Sequence, residues 1–200
     1  MSKKKDAFWI SYGDIMTSLF FLMLVLFGLY HAKVNASLKQ FRKIQQIQKS
    51  IESIDKNYFS YDSTYKKHVL NIGVQFKPAS SNMNDLSART RSELIEAGIT
   101  VKEFISKKEI GDSKIQYLVI IEGQASNDKY PKNDDLSYDR AMALYNFWKI
   151  KVGDFKDIDN CELIIAGSGV KGVPRIQPDI YPRNQRFLIT IIPKIGSMEL

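Results

Sequence analysis

Cysteine is almost absent from this chain. Cys161 stands alone, so no intramolecular disulfide can form and no thiolate metal cluster is available. Histidine is nearly as scarce: His31 and His68 lie far apart in sequence, and no zinc site is expected from them. No His-Glu-x-x-His, Gly-x-Ser-x-Gly or phosphate-loop pattern occurs, so the usual motif grounds for an enzyme are missing. Gly167-Ser168-Gly169 is too short for a nucleotide loop, and Asp134-Asp135 sit at a helix start, where capping and the helix dipole explain them. The net charge of +7 comes without a nucleic-acid motif and is scattered along the chain. Its one dense run, Lys3-Lys4-Lys5, abuts an apolar segment and reads as a membrane-flanking cluster. No cofactor, metal or nucleic-acid partner is expected.

What the chain does have is one long stretch without charge, residues 15–30. Residues 7–10 extend it on the far side of Asp14. As one helix, residues 7–30 measure roughly 36 Å at about 1.5 Å per residue, enough to cross a hydrocarbon core of about 30 Å with some tilt. Val34-Asn35-Ala36 has the small-residue character of a signal-cleavage site. The apolar stretch is longer than a signal core, however, and contains an acid, so a permanent single-pass anchor is expected. Lysines and arginines flank both ends (Lys3 to Lys5, then Lys33, Lys39, Arg42, Lys43 and Lys49), and charge alone does not set the orientation.

An ionised carboxylate inside a membrane helix costs about 2.5–3.5 kcal/mol on insertion scales, so it faces protein or a wet cavity and marks an ion or proton path. Ser11, Asp14, Thr17 and Ser18 fall at helical spacing on one face. Ile15, Leu19, Phe20, Leu22, Met23, Leu24 and Leu26 cover the others. One helix cannot enclose a water-lined path, so the stripe calls for self-association, a membrane partner, or both. The structural alternative is an acid near the interface whose position is merely tolerated.

Phe8-Trp9-Ile10-Ser11-Tyr12-Gly13-Asp14-Ile15-Met16-Thr17, continued by Phe20-Phe21, resembles the signature of the MotB family of stator subunits. Its Phe-Trp-Ile-Ser-Tyr opening is most similar to the ZorB branch, the motor subunits of Zorya anti-phage systems. Gly13 stands where alanine is usual. The resemblance implies that Asp14 takes up and releases a translocated proton or sodium ion, with Ser11, Tyr12, Thr17 and Ser18 supporting the path.

Residues 32–58 contain no Pro or Gly and read as helix. Ile44, Ile47, Ile51, Ile54 and Tyr58 step by 3, 4, 3 and 4, a heptad seam. Two readings stand: a parallel coiled-coil dimer, or an amphipathic helix lying on its own domain.

From residue 61 the pattern alternates. Strands are expected at 69–76, 115–122, 163–166 and 186–193, and helices at 86–107 and 136–151, with Asp134, Asp135 or Ser137 as caps for the second. The order β-α-β-α-β-β gives an α+β fold with helices packed on a mixed sheet. Residues 65–195 resemble the OmpA-like peptidoglycan-binding domain. The resemblance rests on Ile121-Glu122-Gly123-Gln124-Ala125-Ser126, on Asn133, Leu136-Ser137 and Arg140-Ala141, on Gly167-Ser168-Gly169, and on Asn184-Gln185-Arg186-Phe187. It implies that Arg140 captures a stem-peptide carboxylate in a pocket shared with Asn133 and Leu136; a guanidinium suits that task through two parallel hydrogen bonds. The structural alternative pairs Arg140 with a surface acid such as Asp135 or Asp139. The family aspartate falls on Ser126 here. Asp128 substitutes for it if the loop turns back; otherwise the preferred stem peptide has changed.

The expected organisation is a tail (1–6), a transmembrane helix (7–31), a linker helix (32–60) and a domain (61–200); the resemblance implies an inner-membrane location with the tail cytoplasmic and the domain periplasmic. By resemblance the partners are a second copy, a MotA/ZorA-like multi-span subunit forming a pentameric ring, and peptidoglycan. The expected role is a non-enzymatic, ion-conducting stator subunit in anti-phage defence, with a flagellar-type stator or a passive membrane-to-wall tether as rivals.

Overall fold

The computed structural model describes residues 2–106, 109–110, 113–128, 130–179 and 182–194. The chain divides into two units, Met1–Gln46 and Ile47–Leu200. The first is helical throughout its described residues, all within α1, which spans Ser2–Glu52. No proline or β-branched run interrupts it. Its apolar side chains from Ile15 to Tyr30 are exposed on every face, the condition of a helix whose solvent is lipid. By length and composition α1 is able to cross a membrane.

The second unit takes the last turns of α1 into its own core. Ile47, Ile51 and Ile54 are buried there beside Phe59, Leu70, Leu94 and Tyr145. Of the two readings of the heptad seam, the amphipathic one describes these three residues: the seam faces its own domain. A hairpin follows, β1 (Phe59–Asp62) and β2 (Lys67–Leu70), antiparallel with Phe59 opposite Leu70. Asp62 Oδ1 shapes its turn by accepting the N–H groups of Thr64 and Tyr65 at 2.9 and 3.0 Å.

Helix α2 (Ala88–Ser106) is capped by Ser87, whose Oγ accepts Thr90 N–H at 3.0 Å. It buries Leu94, Ala97, Gly98, Val101 and Ile105, a single helical stripe. A two-residue hairpin, β3 (Glu109–Ile110) and β4 (Ser113–Lys114), leads to β5 (Gln116–Gly123). Helix α3 (Asn133–Lys151) then crosses to β6 (Cys161–Gly167), parallel to β5, and β7 (Phe187–Lys194) returns antiparallel between β2 and β5. The five-stranded sheet runs β1-β2-β7-β5-β6. This is the α+β fold of helices on a mixed sheet that the sequence pattern predicts.

Three differences from the expected elements are physical. Residues 69–76 alternate buried and exposed, yet the strand ends at Leu70. Ile72, Val74 and Phe76 are buried like strand residues, but their backbone runs extended outside the ladder. The β1–β2 hairpin lies partly upstream of the expected first strand. Helix α3 begins three residues early, and neither Asp134, Asp135 nor Ser137 caps it: the N-cap position is Lys132, which makes no side-chain cap bond, and Ser137 Oγ donates to Asp134 O at 2.7 Å.

Two packing contacts fix the helices against the sheet. Trp148 of α3 is fully buried, donates from Nε1 to Leu94 O at 2.7 Å, and stacks on Phe155 at 5.5 Å. Gly123, at the end of β5, sits where an added Cβ would stand 2.1 Å from Ser137 O of α3. Only glycine permits that approach, and it sets α3's first turns against the ends of β5 and β6.

Candidate ion-carrying and wall-binding sites

On α1, Asp14 is exposed in a helix whose next sixteen residues carry no charge. Thr17 Oγ1 lies 2.7 Å from Gly13 O and 3.0 Å from Asp14 O, so its hydroxyl is bound to the backbone of its own helix. Thr17 therefore braces the turn that carries Asp14, and in this single chain it offers its proton to the helix. Tyr12 is half exposed and meets Trp9 edge-on at 6.1 Å. Ser18 is exposed. The Ser11 side chain lies outside the described residues.

In the second unit, Asn133, Leu136 and Arg140 are spaced along one face of α3, and all three are buried. Arg140 is 3% exposed. Its Nε donates to Ser80 O at 3.0 Å, and its guanidinium lies over the Phe76 ring at 4.8 Å. These contacts direct it inward, away from the surface pairing with Asp135 or Asp139 that a helical arginine otherwise favours. Phe76 and Ser80 were not foreseen as part of the site. Their contribution comes from the segment before α2, and the buried phase of the 70–76 alternation is the one sequence signal pointing to Phe76.

Asp128 joins the same cluster. Asp128 N–H bonds back to Ser126 O at 3.0 Å, turning the loop. Asp128 Oδ1 accepts Asn133 Nδ2 at 2.9 Å and Tyr130 N–H at 3.1 Å. Burial works against the charged form, but the Asn133 and Tyr130 hydrogen bonds and the Arg140 charge outweigh it and hold the carboxyl below its usual range. Ser126 is 1% exposed, and its Oγ has no hydrogen-bond partner among the described residues. The loop thus turns back and brings a carboxylate to Arg140 and Asn133, two residues beyond the position expected to hold one.

The ends of β5 and β6 are tied to the 168–186 loop that borders this cluster. Gln124 is fully buried; its Nε2 donates to Pro174 O at 3.1 Å and its Oε1 accepts Arg186 Nη2 at 3.2 Å. Arg175 clasps Asp179 through Nε and Nη2 at 2.7–2.9 Å and reaches Ala125 O at 3.1 Å. Asn184 Nδ2 adds a 2.6 Å bond to Asp179 Oδ1. This network holds Gln124 and Ala125, the two residues before Ser126. No group of three or more His, Cys, Asp or Glu capable of holding a metal occurs among the described residues.

No family model matches the sequence, and no curated protein matches it. Among solved structures, the chain is similar to the cell wall anchor of the T6SS from Pseudomonas aeruginosa, at 17% identity and a TM-score of 0.42 over 66% of this chain and 86% of that one. It is similar to a putative MotB-like protein from Desulfovibrio vulgaris, at 12% identity and a TM-score of 0.44 over 76% and 93%. It is also similar to the periplasmic domain of Helicobacter pylori MotB (residues 97–256 of that protein), at 10% identity and a TM-score of 0.43 over 66% and 87%.

Proposed function

We propose that this chain is a stator-like subunit of an inner-membrane rotary motor, with Asp14 as its ion carrier and the Arg140 pocket as its attachment to peptidoglycan. The observation that carries the reading is the coexistence of two sites in one chain: a lone acid in an apolar membrane-length helix, and, on a separate domain, the buried Arg140 and Asn133 beside the exposed Asp128. The carboxylate in the span is neutralised by a proton or a sodium ion and charged again on release, and each change alters the free energy of its place in the membrane. Two copies set their Asp14 residues inside a pentameric ring of a MotA/ZorA-like multi-span subunit, and alternation between them turns the ring. The domain is periplasmic and holds the pair to the wall, where Arg140 takes a stem-peptide carboxylate and Asp128 faces the stem amine. The chain carries no chemistry of its own beyond ion transfer, and the Phe-Trp-Ile-Ser-Tyr opening favours a Zorya-type anti-phage complex over a flagellar one.

The decisive experiment co-expresses the partner subunit with wild type or Asp14→Asn. The variant is expected to assemble and co-purify normally while phage protection and ion flux into proteoliposomes fall to background. Full protection or flux in the variant would end the ion-carrier reading and leave a passive tether.

A further inference from the structure

The ladder between β2 and β7 stops at Val69 opposite Leu188. Beyond it the two chains splay, and a groove of about 500 Å³ opens between residues 71–75 and residues 182–186. One wall is built by Asn71, Gly73 and Gln75, together with the main chain of Ile72 and Val74, whose side chains are committed to the core. The opposite wall carries Arg183, Gln185 and Arg186.

Two properties of this groove have no use in the sites described above. First, the N–H and C=O groups from Ile72 to Gln75 make no hydrogen bond among the described residues. Asn71 N–H is taken by Tyr58 O at 2.8 Å and Phe76 N–H by Gln185 Oε1 at 3.1 Å, on either side of the gap. Extended backbone with vacant donors and acceptors is a template for an added strand. Second, the groove's charge has one sign. Two arginines and no Asp or Glu occur among its described lining residues. Arg186 is held below its ordinary basicity by burial and by the neighbouring Arg175, so an incoming carboxylate relieves an existing electrostatic cost.

We propose that this groove binds an extended acidic segment of a partner protein, which adds as a strand along residues 72–75 with its carboxylates towards Arg183 and Arg186. Four residues of strand cover about 13 Å at roughly 3.3 Å each, so main-chain bonds supply the affinity and the arginines select the charge. A wall stem peptide does not fit the same description. Its D-residues and γ-linkage interrupt the regular run of α-linked N–H and C=O groups that a ladder requires. The inference depends on neither Asp14 nor Arg140.

The test uses the full chain in nanodiscs and three fluorescent heptapeptides: alternating Val and Glu, the same with Lys for Glu, and the acidic peptide N-methylated at alternate residues. Anisotropy is expected to show saturable binding of the acidic peptide, with the lysine and N-methylated peptides weaker by about tenfold or more. Gly73→Phe and Arg183→Glu are each expected to weaken the acidic peptide by a similar factor with an unchanged melting temperature. A Cβ at Gly73 meets nothing within 4 Å and Arg183 is exposed, so both variants should fold. The proposal is overturned by no saturable binding at millimolar peptide, by equal binding of the lysine peptide, or by full affinity in both variants. Competition by purified muropeptides would likewise overturn it, because the groove would then belong to the wall.

Discussion

Arg140 is a cation brought almost completely out of water, with Ser80 O and the Phe76 ring among its contacts. In the proposed wall-binding role this guanidinium takes a planar, two-oxygen partner, a task for which lysine is no substitute. Arg140→Lys and Arg140→Ala are both expected to abolish co-sedimentation with isolated sacculi, with retained far-UV circular dichroism separating lost binding from lost fold. If Asp128 takes part as proposed, it sets the pH range of the same interaction. Its pKa in the folded protein is depressed, so the carboxylate is charged at neutral pH and stays charged until the pH falls below the usual carboxylate range. Sacculus binding should therefore hold from pH 7 to 5 and fail only in stronger acid, and Asp128→Asn should weaken it at every pH. Asn133, Leu136 and Arg140 were grouped by the family resemblance, and the structure buries all three on α3. Phe76 and Ser80 were not so grouped, since they reach Arg140 from about sixty residues upstream and only the tertiary fold brings them there.

The segment 70–76 shows what a period of two reports. Alternation means that one face is buried; it does not mean that the edges are bonded. The burial of Ile72, Val74 and Phe76 was readable, while the end of the β2–β7 ladder at Val69 depends on where β7 begins, more than a hundred residues later. Gly123 is a second case, a strand glycine whose need appears only when α3 is in place. Gly123→Ala is expected to destabilise the domain by about 1–3 kcal/mol, as overpacking does, and to loosen sacculus binding because α3 carries Asn133 and Arg140. Chemical denaturation and the pelleting assay measure the two effects.

On β2, His68 is 1% exposed. Its Nε2 lies 2.8 Å from Ile51 O at the end of α1, and Phe59 and Tyr61 flank the ring. Burial lowers its pKa; the carbonyls of Ile51 and Ile189 and the charge of Glu52 oppose this without overcoming it. The unfolded chain therefore takes up the proton first as pH falls. The contribution of neutral His68 is complete above the ordinary imidazole value of about 6.5 and declines below it. The melting temperature should drop between pH 7.5 and 5.5, and His68→Phe should flatten that part of the profile.

For the whole molecule, composition and the uncharged run pointed to an apolar helix of membrane length plus one domain, and the main helices and strands of that domain followed from periodicity. The boundary between them did not. The sequence pattern starts the domain at residue 61, whereas the compact unit begins at Ile47, because the isoleucines that look like a dimer seam are core residues of their own chain. Heptad spacing and amphipathic burial are the same pattern over two heptads. A fragment covering 61–200 lacks Ile47, Ile51 and Ile54. Truncating one buried isoleucine to alanine costs about 2–5 kcal/mol, so this fragment should be much less stable to urea than one covering 43–200.

The packing of Trp148 carries an experimental consequence. The chain has two tryptophans: one on the membrane-length helix, at position 9, and one sealed against Phe155 and Leu94. Their fluorescence should be separable by location. Brominated lipids should quench the indole at position 9 and leave the other bright, while iodide should reach Trp148 only after the domain unfolds. In Trp9→Phe, the remaining emission becomes an optical readout of the domain alone, collected from the intact protein in its membrane.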